Sequence, residues 1–512
     1  MGDELLVIDE GTSSTRAMLF DRSGKNLGLA QHPIHSNFPA PGWVEQDPED
    51  IWQLTRAAAG AIVKQAGGAD RIAAIGITNQ RETIVFWDRR NGRPLAPVIV
   101  WQDRRTADAC EALKEAGHEP MLQTKTGLLL DPYFSASKIR WALDHWPQLK
   151  DAGQNLAIGT IDSWLVFRLT GGLHISDATN ASRTSLMALT GGWDDALLDL
   201  FGVPRFALPE ICDSSGELGM TLGDHFGAPI PICGIAGDQQ AAAVGQGCYE
   251  PGDTKATFGT GTFVLTLAGE SPPVSQNRLL ATVACQLGGK RRYALEGSLF
   301  VAGSMMQWLR DQLGLIGTAA ESEALARSVP DSAGVSVVPA FTGLGAPHWD
   351  PDARGAILGL TLGANRAHIV RAALEAVANQ TFELQRAFAA DNISWSSLRI
   401  DGGMAANGFL AEDLTNLLGL DVERPANIET SALGAAMLAG VGAGLFASLH
   451  EAAAAVRGPI ERFSPTADEG ARAARIASWD RAVAGVRAAA YGASTSVPSS
   501  IAPKRKVSRS SQ

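Results

Sequence analysis

The sequence predicts an α/β protein of two related domains that close on a nucleotide held in the cleft between them. Three observations predict it. Val7 to Phe20, VIDEGTSSTRAMLF, runs an apolar strand into a loop of small and hydroxylic residues and out into a second strand. After the turn Glu250-Pro251-Gly252 the pattern starts again, as KATFGTGTFVLTLAG. Between the two, GIAGDQQAAAVGQG leads an apolar strand over Ile230 to Ile235 into a helix of small residues from Asp238, which belongs at the domain junction.

Length and composition set the frame. A chain of 512 residues exceeds one ordinary hydrophobic core, so two or more domains are expected. Apolar residues at 45% and charged ones at 19% describe a soluble globular protein. The net charge of -11 argues against a nucleic-acid or anionic-membrane surface, which would need a concentrated basic face. Any phosphate is therefore bound locally. The five cysteines stand far apart without a CxxC pair, which points to a reducing cytosol and away from zinc or structural disulfides. MGDELLVIDEG is acidic and enters a strand at once, unlike a signal peptide, and no apolar run approaches the ~18 residues of a membrane span.

In chain order, LLVID, AMLFD and NLGLA form a β-meander, with the turn Arg22-Ser23-Gly24-Lys25 between the last two. A helix begins at Pro48 behind the N-cap Asp47, and Ile51, Leu54, Ala58 and Ile62 keep helical spacing. RIAAIGIT is a buried strand that delivers Asn79-Gln80-Arg81-Glu82 at its end. In the second half LRIDGGMAANGFLAEDLTNLLG repeats strand, glycine pair and helix N-terminus, which admits a ligand to unpaired amides. The helical spacing around ARAARIASWDRAVAGVRAA is amphipathic. From Gly492 the composition turns to Ser, Pro and Lys/Arg, a disordered tail whose Lys504-Arg505-Lys506 cluster reads as solvated.

The chemistry-bearing residues sit at these strand ends. In the opening loop, consecutive amides and hydroxyls of Gly11, Thr12, Ser13 and Ser14 make a nest for phosphate oxygens; Arg16 adds a cation, and Asp9 suits Mg²⁺ held through water. Taken alone, this loop is equally an ordinary polar hairpin, and Walker A spacing is absent. The second loop, Gly259-Thr260-Gly261-Thr262, shifts the balance toward a nucleotide. Arg81 and Glu82 can read hydroxyls as donor and acceptor, though adjacent charges are commonly a solvated pair. Trp101 stands among charges in WQDRRT, and Tyr133 in DPYFSASKIRW reads first as a buried phenol. Asp238 follows Gly237 where a helix begins; it serves as an N-cap, and a carboxylate there can also take the proton of an attacking hydroxyl.

DEGTSSTRA, PGWVEQDP, NQRET, WQDRRT, DPYFSASKIRW, GIAGDQQAA, FGTGTF, ALEGSLFVAGSMMQWLRD, VPAFTGLGAPHWDPDARGAILGLT and DGGMAANGFL together resemble the glycerol kinases of the FGGY carbohydrate kinase family, over Val7 to about Leu445. The resemblance implies two actin-like (ribonuclease H-like) ATPase domains with mixed sheets flanked by helices. They are an N-terminal FGGY domain over 1–247 and a C-terminal one over 248–491, followed by a tail over 492–512. It implies ATP-dependent phosphorylation of glycerol to sn-glycerol 3-phosphate in the cytoplasm. Arg81, Glu82, Tyr133, Asp238 and Gln239 would bind the polyol, Trp101 and Phe263 would form apolar walls, and Asp238 would be the base. For ATP it implies Thr12, Ser13, Ser14, Arg16, Thr260, Gly303 and Gln307, with Gly403 and Asn407 near the adenosine, and Asp9 and Asp238 on the Mg²⁺ side. A homo-oligomer is expected by analogy alone.

Three positions depart from the pattern. Glu10 stands where glutamine is usual and is expected to point away from the phosphates. His348 replaces a usual tyrosine and is expected to be a packed ring. GMTLGDHFGAPIPIC lacks the glycine and arginine loop with which some members bind fructose 1,6-bisphosphate. A kinase for a four-carbon polyol, erythritol or threitol, is the alternative within the family. An actin- or chaperone-type switch ATPase is the alternative outside it, although it would not need the Asn79 to Glu82, Tyr133 and Asp238 to Gln239 set.

Overall fold

Two mixed sheets carry the chain, and the order of their strands repeats. The computed structural model describes residues 2–456 and 458–492; the expected tail beyond them, with Lys504 to Lys506, lies outside the described residues. The first sheet runs, edge to edge, Asn26–Pro33, Ser14–Phe20, Glu4–Glu10, Ile72–Asn79, Pro231–Gly237 and Ser215–Met220. Successive pairings are antiparallel, antiparallel, parallel, parallel and antiparallel. The second sheet gives the same succession through Lys290–Leu299, Thr262–Gly269, Thr254–Phe258, Leu398–Asp401, Val422–Pro425 and Ile460–Phe463, with Leu280–Leu287 added outside the first of these. Two copies of one unit, each opening on a hairpin, form the paired actin-like arrangement.

Burial follows position in the sheet. The three central parallel strands of the first unit are covered on both faces and read as unbroken apolar runs, whereas the edge strand Asn26–Pro33 is largely exposed. One face takes the helix Pro48–Ala66, which Asp47 caps by accepting from the amides of Glu49 and Asp50 and which ends at Gly67. Its buried stripe holds Ile51, Trp52, Ala58, Ile62 and Val63, each large side chain contributing about 1.5–3 kcal/mol of burial. The other face takes the helix Thr430–Gly442, which comes from the second half of the sequence. Buried on nearly every side, TSALGAAMLAGVG has no polar face to offer water.

That helix also crosses Asp238–Gly245, the small-residue helix placed at the domain junction. Gly245 and Gly434 mark the crossing: a Cβ on Gly434 would overlap the carbonyl oxygen of Ala241, and one on Gly245 that of Thr430. Only glycine lets the two backbones approach this closely. A further small sheet of Glu45–Gln46, Ile84–Asp88, Arg93–Pro94, Val98–Ile99 and Leu156–Thr160 extends the first unit and carries Trp101 and Tyr133 on the connections around it.

Candidate active site

Register brings the predicted loops together. Glu10, Asn79 and Gly237 lie side by side across three parallel strands, so the residues after them leave the sheet along one edge. Those residues are Gly11 to Ser13, Gln80 to Glu82, and Asp238 with Gln239. In the second unit Thr257 pairs with Asp401, and the loops Gly259 to Gly261 and Gly402 to Gly403 leave in the same way. The carboxyl ends of parallel strands are where open α/β sheets bind ligands. A cavity of about 200 Å³ lies between the two edges. It is lined from the first unit by Thr12, Arg81, Glu82, Trp101, Tyr133, Asp238 and Gln239, and from the second by Thr257, Gly259, Thr260, Gly261 and Phe263. The two glycine loops therefore share one crevice.

The remaining candidates stand outside the lining of this cavity. Arg16 pairs with Asp9 on the neighbouring strand and reaches Glu429 at 2.6 Å. Ser13 is exposed, and the Ser14 hydroxyl accepts from Gln31. Gly303 and Gln307 stand on the helix Gly303–Asp311, whose first amides are taken by the second loop: Gly303 N donates to Gly259 O at 2.9 Å and Ser304 N to Thr260 O at 3.1 Å. Gln307 is exposed. Gly403 opens a short 3₁₀ turn, and the Asn407 side chain caps the helix Gly408–Leu418 by accepting from Leu410 N.

Five charges alternate through the floor. Glu82 meets Arg183 at 2.6 Å, Arg183 meets Glu296 at 3.0 Å, Glu296 meets Arg81 at 2.5 Å, and the Arg81 Nε reaches Asp238 Oδ1 at 3.2 Å. Glu82, Arg183, Glu296 and Arg81 are buried, and Glu296 belongs to the second sheet, so the row ties the two units together. Burial pushes the Glu296 carboxyl up, but Arg183 and Arg81 outweigh it and hold the group at about 2. Burial raises Glu82 above the usual carboxylate range, against the pull of Arg183 and Arg81. Glu82 also adopts φ of 60°, a left-handed conformation that costs a non-glycine residue energy and often marks a functional site. Gly237 leaves the space in which Arg81 lies: a Cβ there would stand 2.7 Å from the Arg81 Cγ.

Asp238 differs from the rest of the row, because its side chain is 34% exposed and faces the cavity. The expected capping role is not its own: Gly237 is the N-cap, and Asp238 is the first helical residue. Its Oδ1 accepts from Gln239 N at 2.7 Å and faces Arg81, and among the described residues Oδ2 has no hydrogen-bond partner. Phe263 and Tyr133 both lie edge-on to Trp101, with centroids 6.3 Å and 5.5 Å from it. The Trp101 indole donates to Thr12 Oγ1 at 2.8 Å, so the apolar wall also steadies the first loop.

Glu10 points toward the helix Pro48–Ala66, away from the loop, as expected. It is fully buried, Thr55 donates to its Oε2 at 2.7 Å, and Oε1 has no partner. Burial pushes this carboxyl up to about 8 in spite of its hydrogen bonds from Thr15 and Thr55. The unfolded chain loses the proton near pH 4.5 and the native one near 8, so the stability that protonated Glu10 contributes is complete below the first value. It is lost as pH rises to the second, by at most about 5 kcal/mol. Glu10→Gln should therefore gain thermal stability over the wild type between pH 5 and 8.5, and parallel Tm curves would show that Glu10 ionises normally. His348 lies outside the cavity lining, half-buried, with its Nε2 2.9 Å from Glu383 Oε1.

Sequence reasoning missed Arg183, Glu296, Glu429 and Lys255. Glu296 carried a signal, a lone carboxylate inside the apolar strand YALEGSLF. Arg183 carried none, because NASRTSL reads as a polar loop although Arg183 is fully buried.

The model of the FGGY family of carbohydrate kinases matches its N-terminal domain to residues 5–245 and its C-terminal domain to residues 254–443. A glycerol kinase of Gluconobacter oxydans is 54% identical over 488 residues, 94% of this chain and 95% of that protein. A glycerol kinase of Methylobacterium nodulans is 53% identical over 490 residues, 94% of this chain and 97% of that protein. Among solved structures, the Plasmodium falciparum glycerol kinase with ADP superposes with a TM-score of 0.88 at 34% identity, covering 95% of this chain and 99% of the other. A Lactobacillus acidophilus gluconate kinase superposes at 0.85 with 21% identity, covering 95% of this chain and 98% of the other, which speaks to the fold alone. With both family domains matched in order and half of all residues shared with such relatives along nearly the whole length, the chain belongs to the FGGY family of carbohydrate kinases.

Proposed function

We propose that the protein transfers the γ-phosphoryl group of ATP to glycerol, giving sn-glycerol 3-phosphate and ADP. The observation that carries this reading is the single small crevice in which both glycine loops and the half-exposed Asp238 meet Arg81, Glu82 and Tyr133. At about 200 Å³ it falls below the roughly 300–1,000 Å³ of sites for drug-sized ligands, as suits a small polyol. The glycerol kinase relatives and the ADP-bound neighbour support the same substrate pair.

In this reading Arg81 donates to one acceptor oxygen, Glu82 accepts from another hydroxyl, and the Trp101 and Phe263 rings cover the carbon chain. A triol has no charge, so directional hydrogen bonds against apolar walls must select it. Asp238 Oδ2 takes the proton of the attacking hydroxyl as its oxygen bonds to the γ-phosphorus, and the bond to the ADP oxygen breaks. Thr12, Ser13, Ser14 and Thr260 hold the phosphates, Arg16 screens them, and Gly303, Gln307, Gly403 and Asn407 line the nucleotide side. For Asn407 and Gly303 this contact is made by atoms other than the cap oxygen and the amide already engaged.

Mg²⁺ suits the carboxylates of Asp9 and Asp238, hard oxygen donors near the ends of the two strands that flank Ile72–Asn79. The described residues contain no cluster of three or more His, Cys, Asp or Glu side chains that would cage a metal, so phosphate oxygens and water would complete its shell. When bound, it neutralises charge on the phosphates. The acceptor side then belongs to residues 1–247, and the second phosphate loop and adenosine face to 248–491. A reducing cytoplasm fits five free cysteines, no helix among the described residues is long and apolar enough to cross a membrane, and a homo-oligomer follows the family.

Kinetics on glycerol, erythritol, threitol and no acceptor test the reading. Glycerol is expected to give the highest kcat/KM, with ATP turnover nearly silent when no polyol is present. A four-carbon polyol well above glycerol, or turnover indifferent to polyol, would overturn it.

A further inference from the structure

Lys255 is a buried cation without an anionic partner. It lies on the strand Thr254–Phe258, fully buried, two residues before Thr257 and on the same face, and this strand runs directly into the second glycine loop. Its ammonium donates to the side-chain oxygen of Gln239 and to Thr257 Oγ1, the latter at 2.9 Å. Among the described residues no carboxylate comes within ion-pair distance of it, although Asp401, Glu296 and Asp238 lie near enough to oppose the lowering of its pKa by burial. Burying an ammonium against two neutral groups is costly. Gln239 and Thr257 both line the cavity, one from each unit; Lys255 does not, and stands one layer behind them.

Lysine has three donors and no acceptor, so the Gln239 atom it touches must be the oxygen. The amide nitrogen of Gln239 is then the other end of the group, and among the described residues it has no partner. We infer that Lys255 is a positioning residue for the acceptor site: from the second domain it locks the Gln239 amide so that its NH₂ faces the polyol, and so couples acceptor recognition to closure of the two domains. Without the lysine, the amide can present either its oxygen or its nitrogen. An acceptor hydroxyl that needs a donor there would meet the wrong atom in part of the molecules.

This inference rests on the proposed glycerol reading, and the experiment separates the two. Lys255→Met is expected to raise the KM for glycerol about tenfold, the worth of one misplaced hydrogen bond, while the KM for ATP stays within about twofold of the wild type. In a Gln239→Leu background the same substitution should change the glycerol KM by less than about twofold, because Lys255 acts through the amide already removed. A merely structural lysine would instead lower kcat and thermal stability without distinguishing acceptor from ATP, and its effect would persist in the Gln239→Leu background. Wild-type enzyme that ignores glycerol overturns the functional reading beneath the inference. Normal wild-type glycerol kinetics beside an unchanged glycerol KM in Lys255→Met overturns the role of Lys255 alone. Should that variant fail to fold, a crystal structure of the wild type with glycerol and ADP decides the matter. Lys255 Nζ is expected within about 3.2 Å of the Gln239 side chain, with the other end of that amide on glycerol. An amide turned away from glycerol, or an ammonium withdrawn from it, overturns the inference.

Discussion

Asp238→Asn is expected to lower kcat for glycerol phosphorylation by roughly 10²- to 10⁴-fold, the usual contribution of a general base, while leaving the dissociation constant for ATP nearly unchanged. The substitution is a narrow one. Asparagine keeps the volume of the side chain and an oxygen that can still accept from Gln239 N and face Arg81, the two contacts of Oδ1. What disappears is a basic oxygen on the cavity side. Steady-state kinetics with a direct ATP-binding measurement distinguishes this from misfolding, because a distorted crevice would weaken nucleotide binding as well. Turnover within a few-fold of the wild type would remove Asp238 from the base role and leave it a hydroxyl reader.

Glu296→Gln should produce the largest loss of stability. Its carboxylate is shared by two buried guanidinium groups, Arg81 and Arg183, and is held at about 2 by them. An amide of the same shape fills the space but leaves two positive charges facing one another with a single neighbour each, Asp238 and Glu82. Removing one partner of a buried ion pair typically costs about 3–5 kcal/mol. For domains of this size that corresponds to a fall in Tm on the order of 10 °C. The glycerol KM should rise with it, since Arg81 loses the anchor that aims it into the cavity. Thermal denaturation at neutral pH, paired with kinetics below the transition, measures both effects. A Tm within about 2 °C of the wild type, equivalent to about 1 kcal/mol or less, would mean that the row is not stabilising as a unit.

Much of the site could be read from local pattern. VIDEGTSSTR alone read equally as a polar hairpin, but TFGTGTF repeated the pattern in the second half, and both loops line the same crevice. Arg81, Glu82, Trp101, Tyr133, Asp238, Gln239 and Phe263 follow strand ends or pair with them, and all seven reach the cavity. The Asp47 and Pro48 start of the first long helix was equally local, since a cap depends on a few neighbouring residues. Asp238 was harder, because whether such a residue caps a helix or begins it turns on one residue of register.

Other features gave no local sign of their partners. Glu296 lies 215 residues from Arg81 and 113 from Arg183, and nothing near it in the chain announces either partner. TSALGAAMLAGVG drew no reading from the sequence, and nothing in it announces that it covers the sheet of the opposite half and crosses another helix at Gly245 and Gly434.

By itself, then, the sequence determined which segments become strands, caps and ligand-facing loops, because backbone propensity, side-chain period and turn chemistry act over a few residues. Only the tertiary structure decided which charges neutralise one another, that Lys255 would stand behind Gln239, and that Glu10 would be buried against Thr55. Electrostatic pairing and desolvation depend on distance in space, and folding brings together groups that the order of the chain keeps far apart.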